Sequence, residues 1–260
     1  MKTLSIINLK GGVGKTTTAI NAASVLASRN LRVLVIDADP QSNASLFFGI
    51  DAEKCGSNLA DLLEGRENDP YNLLYETGVY HVDLVPAGID LINADIASIR
   101  DGGSVRRIRD MLETFQADAH VGPAARDAYD YVLIDCPPSF TAASVAAVYA
   151  SDEIIIPVEV DAFSVHGMVE VMKQIESVRK IQPRVRVAGV LITKWHNTPA
   201  VVQGEAVLRD SAVPVFRTVI RRSDKVAESL FQAKTLEEYS KTSAAARDYR
   251  KFVDEYLEVC

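Results

Sequence analysis

Two kinds of apolar patterning alternate along this chain. Short continuous runs of Val, Ile and Leu recur at Leu4–Asn8, Val33–Asp37, Val82–Pro86, Tyr131–Asp135, Ile154–Val158, Val187–Thr193 and Val215–Ile220. Runs without polar alternation fit parallel strands covered on both faces. Between them lie stretches with helical spacing. Thr16–Ser28 carries Ile20, Ala23 and Leu26–Ala27 on one stripe, and Asn30 is placed to stop it. Gly167–Ile181 and Val201–Arg209 fit the same role. Residues 235–258 read as a terminal helix or helix pair, with Leu236, Tyr239, Tyr249, Phe252, Val253, Tyr256 and Leu257 as the apolar set. Alternating strands and helices predict an α/β fold, a doubly wound, mostly parallel sheet flanked by helices. Residues 51–80 and 116–130 are the least regular and read as surface excursions. With no internal repeat or low-complexity linker, residues 1–260 are expected to form a single domain.

Ligands of such sheets sit at the C-terminal ends of strands, so the residues just past each run are the candidates. After the first run comes Lys10-Gly11-Gly12-Val13-Gly14-Lys15-Thr16-Thr17, directly before the first helix. A glycine-rich turn lets backbone N–H groups converge on phosphate oxygens, and the following helix points its N-terminal dipole at the same anion. Lys15 is placed to reach the β- and γ-phosphates and the Thr16 hydroxyl to hold Mg²⁺, so ATP and magnesium are the expected ligands. The common form of this loop has a glycine where this chain has Leu9, and lacks the additional lysine found here as Lys10.

Two further runs end in acids. Asp37-Ala38-Asp39-Pro40-Gln41 closes the second, and two carboxylates facing a phosphate loop suit metal and water positioning. Tyr131-Val132-Leu133-Ile134-Asp135 closes another, and an acid on a rigid buried strand can hold Mg²⁺ beside a nucleotide.

These motifs together resemble the ParA/Soj family of partition ATPases, within the ParA/MinD superfamily of P-loop proteins with a deviant Walker A motif. The loop Lys10–Thr16 matches that motif, Asp37–Gln41 resembles the family's D-x-D-P-Q, and Asp135-Cys136-Pro137-Pro138-Ser139 its Walker B form. Ile155–Glu159 and Leu191–Trp195 are similar to later family strand ends. The resemblance implies a single P-loop ATPase domain in which Lys10 reaches the nucleotide of a partner subunit. It further implies that Asp39 orients the attacking water and that Asp37 lies near the magnesium. Adenine contacts are implied for Thr193, Arg221 and Ser223, although Arg221 and Ser223 stand where the family usually has proline and asparagine. Arg222 and Lys225 correspond to DNA-contacting positions.

Charge and composition fit this picture. The net charge of −7 argues against wholesale nucleic-acid binding. Residues 217–251, however, hold nine Lys/Arg against five Asp/Glu, a local basic face able to meet a polyanion. Cys55, Cys136 and Cys260 form no C-x-x-C pair, which argues for a reducing compartment and against a zinc site or disulfide framework. No run approaches a membrane span, and the chain enters a strand at once, so no leader or N-terminal DNA-reading domain is expected. The expected protein is cytoplasmic and nucleoid-associated. It would be an ATP-dependent homodimer that binds double-stranded DNA non-specifically and is released when a ParB-like protein stimulates hydrolysis. The rivals are a positioning ATPase for a protein or mobile-element cargo, a MinD-like membrane-cycling ATPase, and a metabolic P-loop enzyme. The acidic tail Phe252–Cys260 disfavours anionic lipid.

Overall fold

The computed structural model describes residues 1–94, 104–118 and 129–259. Its strands are β1 Lys2–Ile6, β2 Val33–Asp37, β3 Tyr75–Glu76, β4 Val82–Val85, β5 Tyr131–Asp135, β6 Glu153–Glu159, β7 Arg186–Trp195 and β8 Val215–Arg221. They form one sheet in the order β3-β4-β2-β5-β1-β6-β7-β8. Every pairing is parallel except that of β3 with β4. The described helices include α1 Lys15–Ala27, α2 Asn43–Phe47, α3 Leu59–Glu64, α4 Ser104–Asp118, α5 Ala142–Ala150, α6 Ser164–Arg179, α7 Pro199–Arg209, α8 Asp224–Phe231, α9 Leu236–Tyr239 and α10 Ala244–Val259.

The uninterrupted strand runs have the expected physical cause. Successive residues of a strand point to opposite faces, and both faces are covered. Leu34, Ile36, Val132 and Ile134 enter one apolar core with residues of α3 to α7. Val33, Val35, Leu133, Leu4 and Ile6 enter the other, with α1 and α10. The alternation therefore shows in destination rather than in polarity.

Residues 51–80 are not a surface excursion. They contain α3 and β3, and Leu59, Leu63 and Leu73 are fully buried in the first core. α3 is a short helix whose Asn58 cap and Asp61 close a capping box, so its signal is local chemistry rather than periodicity. Of the stretch 116–130, residues 116–118 end α4, residues 129 and 130 lead into β5, and 119–128 lie outside the described residues. Cys260 lies outside them too, while Cys55 and Cys136 are free thiols. The C-terminal segment is a helix pair, and Tyr249, Phe252, Val253 and Tyr256 of α10 are buried against the sheet.

β8 is the outer strand on one side, and its free N–H groups are met by acids of α10. Glu255 accepts from the N–H groups of Arg217 and Thr218 at 2.6 and 2.8 Å, and Asp248 accepts from Arg221 N at 3.0 Å. Burial pushes the Glu255 carboxyl up, but those hydrogen bonds outweigh it and hold the group below its ordinary range. A depressed carboxyl stabilises the fold above its unfolded pKa and ceases to do so as pH falls through its folded value. Glu255→Ala is expected to cost about 1–3 kcal/mol, because two backbone donors lose their acceptor. Denaturant midpoints check this, and the wild-type advantage should shrink below about pH 4.

Candidate active site

Adjacent strand ends bring the candidate chemistry together. In the sheet, Asp135 is the register partner of both Ile6, on β1, and Asp37, on β2. The loop after β1, the acids after β2 and the acid of β5 thus converge at one crevice.

The loop is built by its glycines and by three supports. Gly12 and Gly14 have φ of 74° and 88°, in the region that glycine enters freely, and Gly14 caps α1. Asn8 donates to Pro157 O at 2.7 Å and accepts from Lys10 N at 3.0 Å, fastening the start of the loop to β6. Thr193, at the end of β7, donates to Val13 O at 2.7 Å. Thr193 therefore touches the phosphate loop itself.

Lys15 is buried and donates to Lys10 O at 3.2 Å, closing the loop. Burial draws its ammonium below the ordinary lysine range, against the attraction of Asp135 and Asp39. Asp135 is fully buried, and neither carboxylate oxygen has a hydrogen-bond partner among the described residues. Burial and then neighbouring Asp37 hold its carboxyl well above the usual range, while the Thr16 hydroxyl and Lys15 pull the other way. A buried, unpartnered carboxylate beside a lysine and a hydroxyl fits a divalent cation. Among the described residues, however, no group of three His, Cys, Asp or Glu side chains could hold a metal alone. Phosphate oxygens would have to complete the coordination, as magnesium favours.

Asp37 is also fully buried, but its oxygens are engaged. It accepts from Asp39 N at 3.1 Å and from Ser45 N and Oγ, both at 2.8 Å. Burial still pushes it up to about 6. Asp39 is nearly buried and accepts from Gln41 N at 2.9 Å. Asp37 thus shapes the turn that carries Asp39.

Lys10 points away from this crevice. Its ammonium pairs with Asp161, ahead of α6, which lowers the Asp161 carboxyl. Beside the loop a cavity of ≈ 440 Å³ is lined by Gly14, Thr17, Thr193, Arg221, Arg222, Ser223, Val226, Leu230 and Tyr249, among others. It unites all three residues expected to contact a base. Arg221 is held there by Asp248 through two guanidinium nitrogens at 2.8 and 2.6 Å. Arg222 is exposed, whereas Lys225 is paired with Glu228 at 2.6 Å.

Sequence reasoning missed Asn8, Ser45, Asp161 and Asp248. Each is a lone polar residue whose partner lies far away in sequence, or, for Ser45, sits where only the folded turn brings it to Asp37. Asn8 alone had a signal, a polar residue closing an apolar run just before the loop.

The comparisons with known proteins bear on the family and the fold. Residues 1–187 match a family model described as an AAA domain. The chain is 35% identical to the chromosome partitioning protein ParA of Caulobacter vibrioides, over 99% of this chain and 94% of that protein. It is 33% identical to the chromosome-partitioning ATPase Soj of Thermus thermophilus, over 99% and 96%. Among solved structures, a Cyanothece McdA(D38A)–ATP complex superposes with a TM-score of 0.86 at 26% identity, covering 99% of this chain and 96% of that one. Cobyrinic acid a,c-diamide synthase of Mycobacterium smegmatis, with bound ATP analog and magnesium, gives 0.83 at 26%, covering 99% and 95%.

The raised Asp135 carboxyl has a consequence for stability. A carboxyl raised in the folded state costs nothing below its unfolded pKa, and its penalty grows as pH rises towards the folded value. At neutral pH Asp135→Asn is therefore expected to raise the melting temperature of the nucleotide-free protein by a few degrees. The same variant should lose most of the further rise that Mg²⁺ and ATP give the wild type, which a thermal scan with and without both ligands checks.

Phosphate loop, acid-ended strands and near full-length relatives lead to one assignment: this chain belongs to the ParA/Soj family of P-loop ATPases with a deviant Walker A motif.

Proposed function

We propose that this protein is a Mg²⁺-dependent ATPase that partitions DNA by an ATP-dependent cycle of self-association. The observation that carries the reading is the unpartnered Asp135 carboxylate facing Lys15 and Thr16 on a glycine-built phosphate loop. Backbone N–H groups of Gly11, Gly12, Val13, Gly14, Lys15, Thr16 and Thr17 would cradle the phosphates, and Lys15 would neutralise them. The Thr16 hydroxyl and Asp135 would hold magnesium, with Asp37 behind them. Magnesium, when bound, supplies charge neutralisation on the phosphate oxygens. Asp39 would orient the attacking water. The base would enter the cavity between Thr193 and residues Arg221–Ser223, with Tyr249 at its floor. The single sheet whose strand ends and flanking helices bring these residues together supports one ATPase domain.

Lys10 lies on the outer side of the loop and is half exposed, which supports its use on the nucleotide of a second copy. Joining two copies would double a basic face, so DNA affinity would rise through multivalency and counterion release. Of the nine basic residues at 217–251, Arg217, Arg221, Lys225 and Arg250 are committed to ion pairs. Arg222, Lys234, Lys241, Arg247 and Lys251 are the better candidates for meeting DNA phosphates. The reading includes a ParB-like partner that stimulates hydrolysis, and nucleoid association in the cytoplasm.

The thinning of the basic face favours one second reading, a ParA-like positioning ATPase whose cargo is a protein or a mobile element. The MinD-like reading is weaker, because the apolar face of α10 is spent inside the core. No helix among the described residues is long and apolar enough to cross a membrane.

Binding to non-specific duplex DNA tests the reading. It should require ATP, persist or strengthen in Asp39→Ala and disappear in Lys15→Ala. Arg222→Ala should weaken it on all sequences alike and reduce the salt slope by about one for each phosphate left without its cation. Absence of binding in every nucleotide state at low salt would overturn the DNA reading and favour a protein cargo.

A further inference from the structure

Ser45, in the first turn of the five-residue helix α2, makes hydrogen bonds that reach beyond its own helix. It is fully buried, as are Asp37 and Ala87. Its Oγ accepts from Ala87 N at 3.0 Å and donates to Asp37 Oδ2 at 2.8 Å, and its own N–H donates to the same oxygen at 2.8 Å. A serine hydroxyl has one proton, and here that proton has a single destination. Asp37 Oδ1 is left for Asp39 N at 3.1 Å.

These bonds constrain the chain between the two residues. Asp37 is the last residue of β2 and Ser45 lies in α2, so the Ser45–Asp37 pair closes a loop from Ala38 to Ala44. Asp39 sits on that loop. The loop bends sharply, with Ser42 N donating to Asp39 O at 2.8 Å and Ser42 at a φ of 55°. A bend of that kind is held by its closing hydrogen bonds rather than by helix or sheet. Through Ala87 N the same hydroxyl ties the loop to the residues after β4, so the neighbouring strand end also fixes it.

We infer that Ser45 is a positioning residue for hydrolysis: by anchoring Asp37 it sets where the Asp39 carboxylate stands beside Lys15 and the phosphate loop. The N–H and hydroxyl of Ser45 are engaged by Asp37 and Ala87 rather than turned to the phosphate loop. The inference rests on the ATPase reading above. It predicts that the loss falls on turnover and not on nucleotide capture, because the phosphate loop is supported separately by Asn8 and Thr193.

The test compares wild type, Ser45→Ala and Ser45→Thr in three measurements: steady-state ATP hydrolysis, ATP-dependent DNA binding and melting temperature. Ser45→Ala is expected to lower kcat about 10- to 100-fold, the usual effect of removing a supporting partner. The KM for ATP should move less than about threefold, and ATP-dependent DNA binding should persist, since capture would outlast hydrolysis. Ser45→Thr keeps the hydroxyl and should restore turnover. Should Ser45→Ala fail to fold, Ser45→Cys, with a weaker donor of similar size, should still show the kcat loss in a folded protein. An unchanged kcat per folded molecule, a fall in melting temperature alone, or a KM that rises in step with the loss of kcat would overturn the inference. Wild-type protein that hydrolyses no ATP would overturn the ATPase reading instead, and this inference with it.

Discussion

Everything at the crevice depends on a carboxylate buried without a partner. Asp135 ends a buried strand, and neither of its oxygens has a hydrogen-bond partner among the described residues. Desolvating a charge in this way is among the costlier features a fold can carry. Lys15 answers part of that charge, and Asp37 adds to it. The balance is left for a ligand, and the proposed phosphate-bound cation would settle it. A preformed, incompletely neutralised site lets binding free energy act where it is needed, since a rigid strand holds the acid in place before any nucleotide arrives.

The fold was largely readable because its strands are covered on both faces. A run such as Leu133-Ile134 sends one residue to each core, so every position is apolar and the run stands out. α6, with a polar outer face, was readable for the complementary reason. α5 was not: nearly all of Ala142–Ala150 is apolar and most of it buried, so no stripe marks it. α3 and β3 are too short for periodicity, and their place is decided by Leu59, Leu63 and Leu73 packing into a core that only the assembled sheet creates.

The site divides in the same way. The phosphate loop was legible because it needs several residue types in a fixed order, with glycines at positive φ. Thr193 and Arg221 were expected on the basis of resemblance, and the cavity beside Gly14 brings both to one place. What the sequence concealed is the support. Asp248 holding Arg221, Ser45 holding Asp37 and Asp161 holding Lys10 are single polar pairings across the fold, with no spacing to announce them. The basic face changed most, since ion pairs invisible in a charge count occupy Arg217, Arg221, Lys225 and Arg250.

Lys10 connects the site to the proposed cycle. In this structure its charge rests on Asp161, outside the crevice that Lys15 serves. A half-exposed lysine so placed suits the proposed use on the nucleotide of a second copy. The most direct test of the account is the molar mass in solution of the Asp39→Ala protein by light scattering, with ATP and with ADP, beside the same protein carrying Lys10→Ala. The account predicts a dimer with ATP, a monomer with ADP and a monomer throughout once Lys10 is removed. A monomer with saturating ATP, or a dimer indifferent to Lys10, would contradict it.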